Sequence, residues 1–189
     1  IWNKNEKVEL ANEPQEYFIA LNQTAIYAES GGQVGDRGWF KSKNAEGSIL
    51  DCKKSGKVFM HLIKLDKGSL KIDDKIEVNV NIEKREKTEA HHSATHLVHA
   101  ALKRVLGDHV KQKGSLVDEH KLRFDFSHDE SLSDEEISKI EDLVNKEILK
   151  NSAVSTKIMD LEDAKNSGAE SLFGEKYEDQ VRVLSIGED

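Results

Sequence analysis

Residues 76–106 read IEVNVNIEKREKTEAHHSATHLVHAALKRVL, and the period of the apolar residues changes inside this stretch. Ile76, Val78, Val80 and Ile82 alternate with polar neighbours, the two-residue period of a half-exposed strand. From Thr88 the period becomes helical: Ala90, Ala94, Leu97, Val98, Ala101, Leu102 and Leu106 fall on one broad face, and Gly107 supplies a C-terminal stop. One change of period near the middle of the chain predicts a β part followed by a part that contains helices.

Upstream of the change, Tyr17–Leu21 is a short apolar run that Thr24–Tyr27 resumes after Asn22 and Gln23, a hairpin or a bent strand. Gly31, Gly32, Gly35 and Gly38 then crowd into eight residues, which marks backbone at positive φ or in close approach to another group. Trp39-Phe40, Ser48–Leu50 and Val58–Ile63 read as further strands, and the whole suggests a small barrel or sandwich ending near residue 86.

Downstream, Leu122, Phe124 and Phe126 alternate with Arg123 and Asp125 as a strand, with Val110–Val117 as its hairpin partner. Ser133 and Glu136 form a capping-box signature, and Ile137, Ile140, Leu143, Val144 and Ile148 are expected on the inner face of the helix that follows. Val154, Thr156 and Ile158 alternate as a strand. Asp160 opens a short helix ending near Gly168, and Val181–Ile186 is the last strand. The expected fold class is α+β: residues 1–86 as a β-barrel subdomain, and residues 87–189 as an α/β core with an antiparallel or mixed sheet and flanking helices.

Composition bounds the function. The chain has 189 residues, 37% hydrophobic and 34% charged. That length suits one large domain or two small ones at roughly 100–200 residues each. No stretch approaches the ~18 apolar residues that cross a bilayer, and the opening IWNKNEKVEL has no signal-peptide core. A membrane protein, a collagen and a disulfide scaffold are excluded. The single cysteine, Cys52, fits a reducing, cytoplasmic setting. The net charge of −8 is uneven: residues 1–88 carry 15 basic against 14 acidic side chains, residues 89–189 carry 13 against 22. An acidic second half argues against a broad nucleic-acid grip, though not against one small pocket for a nucleic-acid end.

The sharpest chemical signal is His91-His92-Ser93-Ala94-Thr95-His96. His92 and His96 are one turn apart, so both imidazoles project from one helical face and can share a metal ion, zinc by default. Ser93 stands where a zinc peptidase of the H-E-x-x-H type has glutamate, which disfavours that reading. His99 is too far along, since His92 to His99 spans roughly 10 Å of helix axis, and His91 points about 100° away from His92. Set against this, a bare H-x-x-x-H is more often an ordinary polar helix face. The glycine cluster is neither a P-loop nor a dinucleotide fingerprint. It is either a wall approached closely by a ligand or another domain, or simply a tight turn or bulge. Val110–Ser115 is a hairpin with exposed lysines or a pocket rim in which Gln112 can donate and accept hydrogen bonds. Arg123 and Asp125 read as a surface pair.

Ala28–Asp36, His92–Leu97, Gln112–Val117 followed by Leu122–His128, and Leu172–Tyr177 together resemble the editing region of alanyl-tRNA synthetases, in the family's order and over nearly the whole chain. The wording Ala28-Glu29-Ser30-Gly31-Gly32-Gln33 resembles the bacterial type. The resemblance implies a hydrolase that removes serine or glycine wrongly attached to alanine tRNA, a small barrel followed by an α/β editing core, and zinc in the cleft. It implies His92 and His96 as metal ligands, Thr95 and Gln112 in the amino-acid pocket, and Ser30, Gly31, Gly32 and Gln33 as substrate-binding backbone. Its partners are the acceptor end of alanine tRNA and the remaining domains of a parent synthetase. The family closes its metal site with a Cys-x-x-x-His pair after the last strand, and this sequence stops at Asp189 before such a pair, so two of four ligands are expected here. Weak zinc binding is the consequence. Two other readings compete: a module that holds a tRNA end without cleaving it, and the related editing domain of threonyl-tRNA synthetase.

Overall fold

The structure is a computed structural model that describes residues 1–4, 6–169 and 178–187; the Leu172–Tyr177 segment named above lies outside them. Contacts divide the chain into two units, Ile1–His91 with Leu116–Leu122, and His92–Ser115 with Arg123–Asp189.

The first unit holds strands β1 (Trp2–Asn3), β2 (Glu6–Lys7), β3 (Leu10–Ala11), β4 (Glu16–Ala20), β5 (Gly38–Ser42), β6 (Ala45–Ser55), β7 (Val58–Gly68), β8 (Leu70–Lys71) and β9 (Ile76–Val80). Seven of them form one antiparallel sheet in the order β2-β1-β4-β7-β6-β5-β9, and β3 pairs with β8 separately. The pairing of the large sheet ends at β2 and β9. Alternation drives it: Tyr17 and Ile19 of β4 and Phe40 of β5 point into the core, while Glu16 and Trp39 face solvent. The long β6–β7 hairpin breaks register at Glu46/Gly47 and again at Ile49/Asp51, and such bulges bend a sheet so that one face can enclose a core. That core contains Ile26, Phe40, Ile49, Cys52, Ile63 and Leu65, all buried. Thr24–Tyr27 is not a strand, contrary to the pattern. Thr24 Oγ1 accepts a hydrogen bond from the Ile26 amide at 3.1 Å, so a local turn replaces a ladder while Ile26 still reaches the core.

Helix α1 (Ile82–Leu106) begins six residues before the expected Thr88. Asn81 caps it: its Oδ1 accepts from the Lys84 amide at 3.1 Å, and its carbonyl accepts from Arg85 at 3.0 Å. The run Glu83–Lys87 has no apolar period but is composed of strong helix formers, which is why periodicity missed it. Ala90 is exposed rather than inward; Thr88, Thr95, Ala101 and Leu102 are the buried positions.

The second unit holds most of α1, the hairpin partners β10 (Gln112–Val117) and β11 (Leu122–Phe126) up to the residues assigned to the first unit, α2 (Asp134–Lys150), β12 (Val154–Asp160), α3 (Leu161–Asn166) and β13 (Gln180–Ile186). β10 pairs with β11, and β12 with β13 in antiparallel register. Ser133 and Glu136 form both bonds of the capping box that opens α2. Of the apolar residues expected on its inner face, Ile140 is buried, whereas Ile137 and Ile148 are 40% and 51% exposed. The core here is Ala101, Leu102, Val110 and Ile140, with Phe124, Phe126, Leu143 and Val144 against it, a stripe too narrow to cover both ends of α2. The fold is α+β. Among the described residues, no helix is long and apolar enough to cross a membrane.

Candidate functional site

The four clustered histidines of α1 separate by their surroundings. His91 turns into the first unit, its Nδ1 2.7 Å from the Asp118 carbonyl. His99 lies against Phe124, ring centroids 5.1 Å apart. His92 and His96 stack on each other at 5.2 Å with ring planes 20° apart, His92 half-buried and His96 exposed. The i,i+4 spacing therefore does bring two imidazoles side by side and leaves the others elsewhere.

Parallel imidazoles one turn apart fit the role of two nitrogen ligands to one zinc ion. Among the described residues, no group of three or more His, Cys, Asp or Glu side chains is placed to hold a metal ion. Thr95 sits beside the pair in sequence but is 5% exposed, a buried hydroxyl on the neighbouring strip of the helix. Gln112 is half-buried at the first position of β10. Arg123 Nε meets Asp125 Oδ2 at 3.2 Å on the exposed face of β11, a surface pair.

The glycine segment belongs to the first unit. Ser30 and Gln33 exchange backbone hydrogen bonds of 3.0 and 3.2 Å, and between them Gly31 and Gly32 have φ of 59° and 83°. Two successive positive φ values in a two-residue connection are the mark of a type I′ turn, which glycine enters without strain. Gly35 has a different role: a Cβ there would stand 2.5 Å from Asp51 Oδ1 and 2.6 Å from the Cys52 carbonyl. Gln33 is buried and forms a parallel bridge to Val117. Ser30, Gly31, Gly32 and Gln33 are thus a tight turn whose backbone is engaged by β10.

Residues 1–85 match the family model described as tRNA synthetases class II (A). Over all 189 residues the chain is 49% identical to an alanine–tRNA ligase of Pseudomonas fluorescens. The chain belongs to the alanyl-tRNA synthetases. It spans 22% of that relative's length. The family model stops inside the first turn of α1, so the histidines of this synthetase segment are covered by the whole-length identity alone.

Several polar clusters in the synthetase segment escape any reading of local spacing. Asp36 is buried and receives the Arg85 guanidinium and the Tyr27 amide (2.7 Å), and Arg85 also donates to the Ala25 carbonyl at 2.8 Å. The hydrogen bond from Arg85 to Asp36 holds the guanidinium charged, above its ordinary range. Lys84 Nζ meets Glu119 Oε1 at 2.7 Å, and that hydrogen bond pulls the Glu119 carboxyl down to about 2. His109 Nε2 and His128 Nδ1 lie 2.9 Å apart. His61 is fully buried, Nε2 2.8 Å from Thr24 Oγ1 and Nδ1 3.3 Å from the Ile19 carbonyl. Apart from Tyr27 and Asp36, nine residues apart, partners here are 19 to 60 residues apart in sequence, beyond the reach of any motif.

Proposed function

We propose that the chain is the editing segment of an alanyl-tRNA synthetase, hydrolysing the ester of serine or glycine wrongly joined to alanine tRNA. The observation that carries this is the stacked His92–His96 pair on α1, in a chain 49% identical along its whole length to an alanine–tRNA ligase. The physical need is plain: a synthesis pocket sized for alanine discriminates poorly against amino acids that differ by one small group, and a second hydrolytic site restores accuracy.

His92 Nε2 or Nδ1 and the matching nitrogen of His96 would hold zinc through neutral imidazole rings. When bound, zinc supplies Lewis-acid polarisation of an oxygen or a lowered pKa for a bound water. The chain's own polar groups supply selection. The buried Thr95 hydroxyl and the Gln112 amide, which can both donate and accept, are suited to hydrogen-bond the hydroxyl of a serine side chain. An alanyl ester leaves such groups unpaired, and sites of this kind reject the analogue lacking the hydroxyl by about 10⁴–10⁵ at best. The acceptor end of alanine tRNA and further domains of the longer synthetase are the partners of this reading, and cytoplasmic protein synthesis is its setting. A threonyl-tRNA synthetase-like segment is disfavoured by the identity to an alanine enzyme over the first unit as well as the second.

Thr95→Val tests it. The variant keeps the shape of the side chain and removes its hydroxyl. Hydrolysis of seryl-tRNA is expected to fall by about 10–100-fold, the worth of one hydrogen bond of roughly 1–3 kcal/mol at a buried site. Unchanged hydrolysis would make Thr95 a core residue only. A chain that binds the seryl-tRNA end without cleaving it would favour the docking module instead.

A further inference from the structure

Residues 116–122 belong to the first unit although β10 and β11, the strands they join, run on into the second. Two sets of contacts hold this tip. On one side is the glycine turn: the Val117 amide donates to the Gly32 carbonyl at 2.8 Å, and the Val34 amide donates to the Val117 carbonyl at 3.1 Å. On the other side is the start of α1: Lys84 Nζ donates to Glu119 Oε1 at 2.7 Å, and the His91 ring meets the Asp118 carbonyl at 2.7 Å. The Glu119 side chain is only 12% exposed. Asp118 Oδ1 closes the tip on itself, accepting from the amides of His120 and Lys121 at 2.7 and 2.8 Å.

The sequence of β10 explains why a tip needs this much holding. Gln112-Lys113-Gly114-Ser115-Leu116-Val117 contains one fully buried side chain, Val117, and no sustained apolar alternation. Polar, glycine-containing strands specify their register weakly, and a slip of one residue moves every side chain to the opposite face. In β10 such a slip reverses Gln112.

We propose that Lys84 and Glu119 are positioning residues. Their ion pair latches the tip against α1 while the Ser30–Gln33 turn grips Val117, and together they fix the register that presents Gln112. The link from register to catalysis rests on the hydrolytic reading above; the latch itself does not. Neither residue touches substrate in this account. Their effect passes through the strand.

The test uses Glu119→Gln and Lys84→Gln singly and the exchanged pair Lys84→Glu with Glu119→Lys, all in the 189-residue chain. Amide exchange and side-chain resonances are followed by NMR. In each single variant the amides of Val117 and Val34 are expected to exchange about tenfold faster, as local opening becomes easier. The Gln112 side-chain amide resonances shift, while the Leu102 amide keeps its protection and shows that α1 remains folded. The exchanged pair restores both signals in large part. Unchanged protection at Val117 in both single variants overturns the latch. Faster exchange at Val117 with the Gln112 resonances unmoved overturns the positioning role.

The deacylation arm reads the catalytic consequence. With seryl-tRNA, kcat is expected to fall about tenfold with KM within twofold of the parent, because misplacement costs the transition state more than binding. Equal kcat in a variant with shifted Gln112 signals overturns the link. A parent chain that cleaves no seryl-tRNA counts against the hydrolytic reading, and the exchange results then decide the latch by themselves.

Discussion

Gly31 and Gly32 show what a single residue contributes here. Their φ values of 59° and 83° lie in the left-handed region, where a Cβ costs roughly 1–2 kcal/mol and a β-branched one more. Gly32→Val is therefore expected to lower the melting temperature by about 4–8 °C, at 2–4 °C per kcal/mol for a chain of this size. A melt followed by circular dichroism that matches the parent would show ordinary backbone at that position. The sequence announced the glycines but not their division of labour: Gly31 and Gly32 make a turn, whereas Gly35 clears room for Asp51 and Cys52. Cys52 is similarly specific. Burial, together with the nearby carboxylates of Asp51 and Asp36, pushes its thiol up to about 11. It should resist alkylation in the native state at neutral pH and react only as fast as the first unit opens. Rapid labelling of the folded chain would contradict its placement in the core. His61 is the third case, with burial holding its pKa below the ordinary 6.5. The unfolded chain takes up a proton there before the folded one does, so stability is full above about pH 6.5 and declines as pH falls below it. His61→Gln should flatten that decline in urea midpoints measured between pH 7 and 5, and an unchanged slope would assign it to other groups.

At the scale of elements, the patterns with local causes were legible and those with distant ones were not. The capping box of α2 is written in Ser133 and Glu136, and both its bonds form, at 2.8 and 3.3 Å. Ser133→Ala is expected to cost about 1 kcal/mol, typical of a lost N-cap, read as a lower denaturation midpoint of the second unit. No change would mean that packing at Ile140 alone sets the helix. Periodicity misses the start of α1 because a run of charged helix formers carries no apolar period, and only Asn81 betrays the boundary. The composition of Thr24–Tyr27 suits a strand, but a hydroxyl close to its own backbone prevails. Glu119 adds a pH signature to α1. Its carboxyl sits far below the ordinary range through its hydrogen bond to Lys84, so the contribution of that pair is present above about pH 4.3 and fades as pH falls toward 2. Glu119→Gln should remove this component of acid unfolding.

For the whole molecule, the candidate site was legible only where its members share one element. His92 and His96 are joined by helical spacing, and their stacking follows from it. Thr95 stands out by resemblance alone, and its burial depends on the packing of α1, which local spacing does not carry. The bridge from Gln33 to Val117 and the ion pair from Lys84 to Glu119 join distant segments, and no pattern in either segment foretells the other. A net charge of −8 leaves little room for a wide phosphate grip. The central claim is that this chain hydrolyses a mischarged ester and spares the correct one. The decisive measurement is the release of labelled amino acid from seryl-tRNA and alanyl-tRNA carrying the same alanine tRNA, with zinc present and with zinc chelated. Serine released faster than alanine by about a hundredfold or more, with the difference reduced in His96→Ala, is the expected result. Equal release of both amino acids, or release of neither from a folded chain loaded with zinc, would contradict it.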